Sequence, residues 1–225
     1  MQDTESVPSG QNYSYTRNPT QITKYLKTVL WVLVGVTVLS LISDAMQLHL
    51  LNSVPLTQAQ AAANDARQRE VAWLHLGIYL LTVILFARWI YCVSANCHGF
   101  GAQGMKFSPG WSVGCYFVPF TNLYRPFEAM REIWKVSEDP VHWKTAADEH
   151  LLRWWWGTWL LSGALGQLSF RLSSDARGIS ALRDSTTASI LSGVSEIALC
   201  VVAMSLVSAI FERQEKLVGN VLPWN

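Results

Sequence analysis

The stretch Phe107–Lys135, FSPGWSVGCYFVPFTNLYRPFEAMREIWK, lies between two pairs of apolar segments and decides how the chain is arranged. Its apolar part, 111–120, is about half of the roughly 20 residues that a helix needs to cross a bilayer. Pro119 then interrupts this run before it reaches the length of a span. We therefore expect 107–135 to be a re-entrant or interfacial segment that does not cross the membrane.

A charged amphipathic helix is predicted directly after the apolar run. Pro126 fits the first turn of a helix, and the residues after it divide into an apolar face and a charged face. The polar and aromatic residues of the segment are candidates for binding a ligand or a partner: Trp111, Asn122, Arg125, Glu128, Arg131 and Glu132. A solvated face of a helix on the membrane surface explains the same charges, so both interpretations stay open.

Four other stretches are long and apolar enough to span a bilayer. They lie at about 24–51, 71–94, 152–170 and 188–211. Hydrophobic residues make up 50% of the 225, whereas charged residues make up only 15%, as is typical of a membrane protein. The predicted fold class is an all-α membrane protein with four transmembrane helices plus the proline-broken re-entrant segment.

The expected domain organisation is a single transmembrane helical domain over 21–216. Residues 1–20 are polar and lack periodicity, so we expect a disordered tail there. A second short tail is expected over 217–225. Lys24 follows about 23 polar residues, so the first apolar stretch is interpreted as a retained helix and not as a removed signal.

The distribution of Lys and Arg predicts the orientation, because cytoplasmic loops are enriched in these residues. With four spans and a cytoplasmic amino terminus, 12 of the 17 lie inside and 5 outside. If 111–134 also crossed the membrane, the split would be 8 against 9. The asymmetry favours four spans with both termini cytoplasmic, in the cytoplasmic (inner) membrane of a bacterium.

Three ionisable residues lie within or near apolar spans, where charge is costly: Asp44, His75 and Glu196. Glu196 is nearest the middle of its span, so its carboxyl group is expected to be protonated, paired or facing a wet cavity. Asp44, His49 and His75 lie near the same outer end of the first two spans, where ordinary interfacial hydrogen bonding is favoured and an Asp–His network is the alternative. For Glu196, a functional role and a structural role both remain open.

The motif F-S-P-G-W-x-V-G-x-x-F-V-P-x-x-N-L-x-R-P-x-x-A-M-x-E-I-W resembles the signature of a bacterial integral-membrane family known only as a domain of unknown function. The resemblance covers roughly 71–212 and implies the architecture, with no activity attached to it. The family usually has a basic stretch just upstream, where this chain has YCVSANCH at 91–98. Any role of that basic stretch is therefore in doubt here.

Cys92, Cys97 and His98, with Cys115, offer thiols and an imidazole that can bind zinc or copper. Their spacing differs from that of standard zinc motifs, and small apolar packing at the membrane interface explains the cysteines better. We therefore predict no metal and no other cofactor. A net charge of +1 also argues against a nucleic-acid partner.

Three classes of function are compatible with these features. The favoured one is a non-enzymatic module that binds membrane lipids or a partner membrane protein through 107–135. The alternative is a small channel or transporter that assembles as a homo-oligomer, with Glu196 and the re-entrant segment on its path. A membrane-embedded enzyme is the least favoured, because H-E-x-x-H, G-x-S-x-G and haem-binding His pairs are absent from the sequence, and no catalytic residue is predicted.

Overall fold

The computed structural model describes residues 13–52, 57–146 and 150–219. Those residues form helices, turns and loops, and none of them lies in a β-strand. The α-helices are α1 (Thr20–Asn52), α2 (Gln58–Gly99), α3 (Pro109–Gly114), α4 (Arg125–Glu138), α5 (His150–Asp175) and α6 (Ile179–Gly219), with a 3₁₀ turn at Thr121–Leu123.

Three of these helices, α1, α2 and α6, are long and apolar enough to cross a membrane. The predicted spans 24–51, 71–94 and 188–211 lie within them. The predicted span 152–170 lies within α5, which is helical over 26 residues. Its Trp, Gly and Ser residues lower its mean hydropathy, and α5 is not among the three. The fourth span therefore stays a prediction.

The helix α2 begins well before its apolar stretch because of a capping box at Thr57. The Gln60 backbone N–H donates to Thr57 Oγ1 over 3.3 Å, and the Thr57 backbone N–H donates to Gln60 Oε1 over 3.0 Å. The Ala- and Gln-rich residues that follow favour helix. The residues from Gln58 onward therefore form an amino-terminal extension of α2 before its apolar stretch.

The chain divides into two compact units, and α2 and α6 contribute to both. The motif unit contains the described residues of 1–21, 88–148 and 208–225. The span unit contains the described residues of 22–87 and 149–207. Each unit is described below by itself.

The span unit has apolar side chains on its surface and polar side chains inside. Its exposed large apolar residues include Trp31, Ile42, Trp73, Ile84, Leu161 and Phe170. Its buried polar residues include Thr37, Ser43, Asp44, Gln47, Asn64 and Thr186. Exposure of so much apolar surface to water is unfavourable, whereas contact of the same surface with lipid tails carries no such free-energy cost. The arrangement indicates a membrane protein.

A close approach of α1 and α6 within the span unit depends on Gly193. A Cβ atom added there would lie 2.8 Å from Leu41 Cδ2 and 3.5 Å from Thr37 Cγ2. Small residues at helix interfaces allow such contacts in membranes, where apolar burial does not drive helix association. The contact brings the α1 face that carries Thr37 next to α6.

The motif unit has a polar core around Gln214, which is 0% exposed. Its amide donates to Val93 O over 3.0 Å and to Ser137 Oγ over 3.1 Å. Its carbonyl accepts from Asn96 Nδ2 over 3.1 Å. Because these partners lie on α2 and α4, Gln214 joins three helices.

Residues just before α1 also contact the motif unit. The Arg17 backbone N–H donates to Asn96 Oδ1 over 2.8 Å, and the Arg17 guanidinium lies 5.0 Å from the centre of the Tyr91 ring. Arg17, which lies within the tail predicted over 1–20, is therefore held against α2. Residues 1–12, and 220–225 of the second predicted tail, lie outside the described residues, whereas 217–219 continue α6.

We predict that Gln214→Leu destabilises the protein by about 1–3 kcal/mol, because it leaves buried partners on two other helices without a hydrogen bond. Thermal unfolding of the purified protein in detergent micelles measures this effect. Glu212→Gln, at an exposed position on the same helix, is the control and should change stability by less than about 0.5 kcal/mol. Equal stability of Gln214→Leu and the wild type would contradict the role given to this core.

Candidate functional site

The predicted re-entrant segment begins with a short helix and not with a continuous apolar run. Ser108 is the N-cap of α3, and its side chain accepts a hydrogen bond from the Trp111 backbone N–H over 3.2 Å. Pro109 occupies the first turn, where its missing N–H costs nothing. The helix α3 therefore begins at Pro109, two residues before the start of the apolar run 111–120, and it ends at Gly114.

The chain reverses at a tight turn centred on Phe120. The Thr121 backbone N–H donates to Pro119 O over 2.8 Å, and Phe120 between them has φ 64° and ψ −40°. This geometry is a γ-turn of the strained, positive-φ form, which residues other than glycine rarely adopt. The Phe120 side chain is 84% exposed, so the turn holds the ring away from the protein.

Phe120 belongs to a group of exposed apolar side chains that we call the apolar edge. Its members are Trp111, Phe117, Phe120, Leu123 and Tyr124. Exposed groups of large apolar residues close together in sequence mark sites of contact with a protein or with a membrane. The apolar edge is therefore a candidate surface for contact with a membrane or with a partner protein.

Glu132 connects α4 to the start of the motif. Its carboxylate accepts the Lys106 backbone N–H over 3.1 Å and the Phe107 backbone N–H over 3.3 Å. The residue is 7% exposed, and this burial raises the pKa of its carboxyl group, while the two N–H donors oppose the rise. A fully solvated face of α4, the alternative left open above, is therefore wrong at Glu132.

A cationic pocket of about 200 Å³ lies beside Glu132. It is lined by Lys106, Glu128, Arg131, Glu132, Lys135, Trp143 and Lys144. Gly104, with φ +75°, allows the close approach of Lys144, because a Cβ atom at that position would lie 2.8 Å from Lys144 Nζ. The cations outnumber the acids, so the pocket attracts negative charge.

The structure brings three of the six predicted site residues together, since Glu128, Arg131 and Glu132 all line the cationic pocket. Arg125 is outside the lining and lies 3.4 Å from Glu128, with its guanidinium 5.8 Å from the centre of the Phe107 ring. Arg125 therefore links the pocket to the entry of the motif.

The other two predicted residues also lie outside the lining of the pocket. Trp111 belongs to the apolar edge, and Asn122 lies in the 3₁₀ turn, where its backbone N–H donates to Val118 O over 3.0 Å. The six candidate residues are therefore divided between the pocket, the apolar edge and the 3₁₀ turn, with Arg125 beside Glu128. Lys106 and Lys144 were missed, because each is a lone cation in a loop.

The cysteines and His98 make separate contacts. Cys97 Sγ lies 3.7 Å from Ile133 O, and Cys92 Sγ lies 3.4 Å from Arg17 O. His98 Nε2 lies 3.0 Å from Phe107 O, to which it donates. Within residues 13–52, 57–146 and 150–219, no three His, Cys, Asp or Glu side chains are placed to share a metal ion.

The span unit holds the other predicted residues, Asp44, His75 and Glu196, around a single cavity. His75 Nε2 lies 2.8 Å from Glu196 Oε2, and Thr37 Oγ1 donates to the same oxygen over 2.9 Å. The partner of His75 is thus Glu196, whereas Gln68 donates to Asp44 over 3.2 Å. Because α2 begins at Gln58, His75 lies about 26 Å along its helix at 1.5 Å per residue.

Sequence reasoning missed a second set of polar residues in the span unit. Gln47 Nε2 donates to Thr186 Oγ1 over 2.7 Å, and Asn64 Nδ2 donates to Gln47 Oε1 over 3.0 Å. The Arg67 guanidinium then donates to Asn64 Oδ1 over 2.6 Å. The amide side chains of Gln47 and Asn64 were the only sequence signal for this set. The sequence could not show that they bond to each other, because their partners lie on other helices.

Residues 52–212 of the chain match a protein family described as Domain of unknown function (DUF4328). No curated protein and no solved structure matches the chain significantly. The resemblance to a family of unknown function is thus confirmed, while the motif as its signature and a bacterial origin stay predictions. Because the match covers most of the 225 residues, the chain belongs to the DUF4328 family, a domain of unknown function.

Proposed function

We propose that this chain is a multi-pass membrane protein that binds an anionic lipid headgroup in its cationic pocket, as a non-enzymatic module. The observation that carries the proposal is the pocket itself, in which Lys106, Arg131, Lys135 and Lys144 meet. A lipid phosphate carries a negative charge that such a cluster attracts.

The balance of charge in the pocket supports an anionic ligand. Glu132 already accepts two backbone N–H groups, and Glu128 lies 3.4 Å from the Arg125 guanidinium. Both acids are thus engaged within the motif unit. Lys106 and Lys144 are exposed and extend the positive charge of the pocket to its opening.

The apolar edge supports a lipid as the source of that anion. Aromatic side chains are enriched at the membrane–water interface, where lipid phosphates also lie. Phe107 connects the two features, because its N–H donates to Glu132 while its ring contacts the Arg125 guanidinium. In this proposal 107–124 is the re-entrant or interfacial segment, and α4 lies in the headgroup region.

Four spans complete the proposed topology, with α5 as the third. Of its side chains, Leu152 and Trp155 are buried, whereas Trp154, Leu161, Leu168 and Phe170 are exposed, as on a lipid-facing helix. The Lys and Arg count favours a cytoplasmic location for both termini. A bacterial inner membrane is the proposed location.

We predict that the double variant Lys106→Gln/Lys144→Gln loses affinity for phosphatidylglycerol. A basic residue near the surface contributes about 1 kcal/mol to binding of anionic lipid, so each replacement should weaken binding about fivefold and the pair about 25-fold. Native mass spectrometry of the delipidated protein, titrated with phosphatidylglycerol and with phosphatidylcholine, measures this loss. Neither change removes the Lys106 backbone N–H that Glu132 accepts.

Lys216→Gln is the matched control, since Lys216 is an exposed lysine of the same unit outside the pocket. It should bind phosphatidylglycerol within about twofold of the wild type, because a single distant charge is screened at physiological salt. Equal affinity of the double variant and the wild type, or equal binding of both lipids by the wild type, would count against a headgroup site.

We also predict that Phe120 lies in the hydrocarbon region. A spin label at Phe120→Cys in lipid vesicles should collide more often with oxygen than with a water-soluble nickel chelate, because oxygen partitions into the bilayer. The native cysteines Cys92, Cys97, Cys115 and Cys200 are all buried, so the introduced thiol labels selectively.

Val141→Cys is the control for this depth measurement. Val141 is 58% exposed and lies in the loop after α4, outside the apolar edge. Its label should favour the nickel chelate. A label at residue 120 with the same preference as one at residue 141 would place the apolar edge in water and remove the interfacial role.

A further inference from the structure

The span unit has a partly open polar cavity of about 220 Å³ next to Glu196. Its polar lining consists of Thr37, Ser40, Asp44, Gln68, His75, Ser189, Ser192 and Glu196. This volume holds several water molecules, and hydroxyl and carboxyl groups supply the partners that buried water needs. The surfaces of the same helices are apolar, so the cavity is a wet site among lipid-facing helices.

Two donors converge on one oxygen of Glu196. The Thr37 hydroxyl donates over 2.9 Å, and His75 Nε2 lies 2.8 Å from the same Oε2 atom. The Thr37 hydroxyl also donates to the Leu33 carbonyl in its own helix over 2.8 Å, in the alternative orientation of its hydrogen. The Tyr79 ring stacks on the other side of this pair, with its centroid 6.5 Å from that of His75.

The ionisable groups around the cavity carry one uncompensated negative charge when His75 is neutral. Asp44 from α1 and Glu196 from α6 are the acids, and Arg67 from α2 is the cation, which interacts with Asp44. Tyr79 and Cys200 are also close to Glu196 and are neutral when protonated. A net charge among apolar helices is costly, and a single proton removes it.

Hydrogen bonds connect the cavity to one end of the helices. From Asp44 they pass through Gln68 to Ser43, and Arg67 donates to Ser43 Oγ over 3.1 Å. They continue through Asn64 and Gln47 to Thr186. This polar path follows the last turns of α1 and the first turns of α2 and α6.

The buried side chains of the span unit beyond Glu196, toward the other end, are mostly apolar. They include Leu26, Leu30, Leu33, Ala203, Met204, Leu206 and Val207. The buried Thr82 hydroxyl donates to Ile78 O in its own helix over 2.8 Å and so offers no step onward. The polar path therefore ends at the His75–Glu196 pair.

We propose that the His75–Glu196 pair binds one proton, which reaches it through the cavity from the side where α1 ends and α2 begins. A hydronium ion in the cavity transfers its proton to the pair and leaves water behind. The pair then holds an imidazolium against a carboxylate, or the equivalent neutral acid and imidazole. Asp44 and Arg67 balance each other, so the loaded site is neutral.

A proton fits this site better than a metal ion does. The described residues offer no group of three His, Cys, Asp or Glu around a metal position. The oxygen Oε2 of Glu196 is already occupied by two donors, which favour a carboxylate that shares protons over one that coordinates a cation. A monovalent cation such as Na⁺ is the competing occupant, and the experiment below distinguishes it from a proton.

The test is proton uptake by the purified full-length protein in liposomes after a downward pH jump, read with a soluble indicator dye. Wild type should take up one proton per chain more than the double variant Glu196→Gln/His75→Gln, because either single variant leaves one titratable group of the pair in place. Asp184→Asn, which removes an exposed carboxylate at the start of α6, is the control and should retain the uptake of the pair. Proton uptake should follow a downward pH jump on the side of the liposome membrane that faces the amino-terminal end of α2. A jump on the opposite side should cause no such uptake.

Equal uptake by wild type and the double variant Glu196→Gln/His75→Gln, at equal thermal stability, overturns the proposal. Uptake that disappears when Na⁺ replaces a bulky organic cation overturns it in favour of a cation site. Thr37→Val keeps both titratable groups but removes one donor to Glu196, so it tests the proposal even if the double variant does not fold. Its pH midpoint of uptake should differ from that of wild type, and an unchanged midpoint contradicts the site.

Discussion

Polar groups among lipid-facing helices must find their hydrogen-bond partners within the protein, and the structure of the span unit follows from this constraint. The contact between His75 and Glu196 is its clearest case, because side chains from two other helices, His75 and Thr37, both reach the Glu196 carboxylate. Thr37 reaches the same carboxylate because Gly193 lets α1 approach α6 closely. The apolar residues cover the outside, where lipid tails replace water.

Buried polar groups of the motif unit also find partners within the protein, but these partners are amides and backbone N–H groups. Gln214 and Asn96 satisfy each other in its core, and Glu132 accepts the backbone N–H groups at the entry to the motif. Charged residues of α4 line one pocket, and two backbone N–H groups hold the Glu132 carboxylate beside it. The strained turn at Phe120 meanwhile exposes an aromatic ring.

Hydropathy and helix signals were enough to predict the apolar helices and the short, broken character of 107–124. The sequence also identified Glu196 and the acids of α4 as candidates, because an ionisable residue stands out against the hydrophobic pattern of an apolar or amphipathic helix. Their partners could not be predicted, since His75 lies 121 residues from Glu196 and no local pattern relates them. Lys144 was missed for the same reason, because it joins the pocket only through tertiary structure.

The most direct test of the account is a cryo-EM structure of the protein in nanodiscs that contain phosphatidylglycerol. We expect headgroup density in the pocket beside Lys106 and Lys144, with the ring of Phe120 among the acyl chains. We also expect 107–124 to enter and leave the bilayer on the same side as α4. An empty pocket with the apolar edge in water, or a segment 107–135 that crosses the bilayer, would contradict the account.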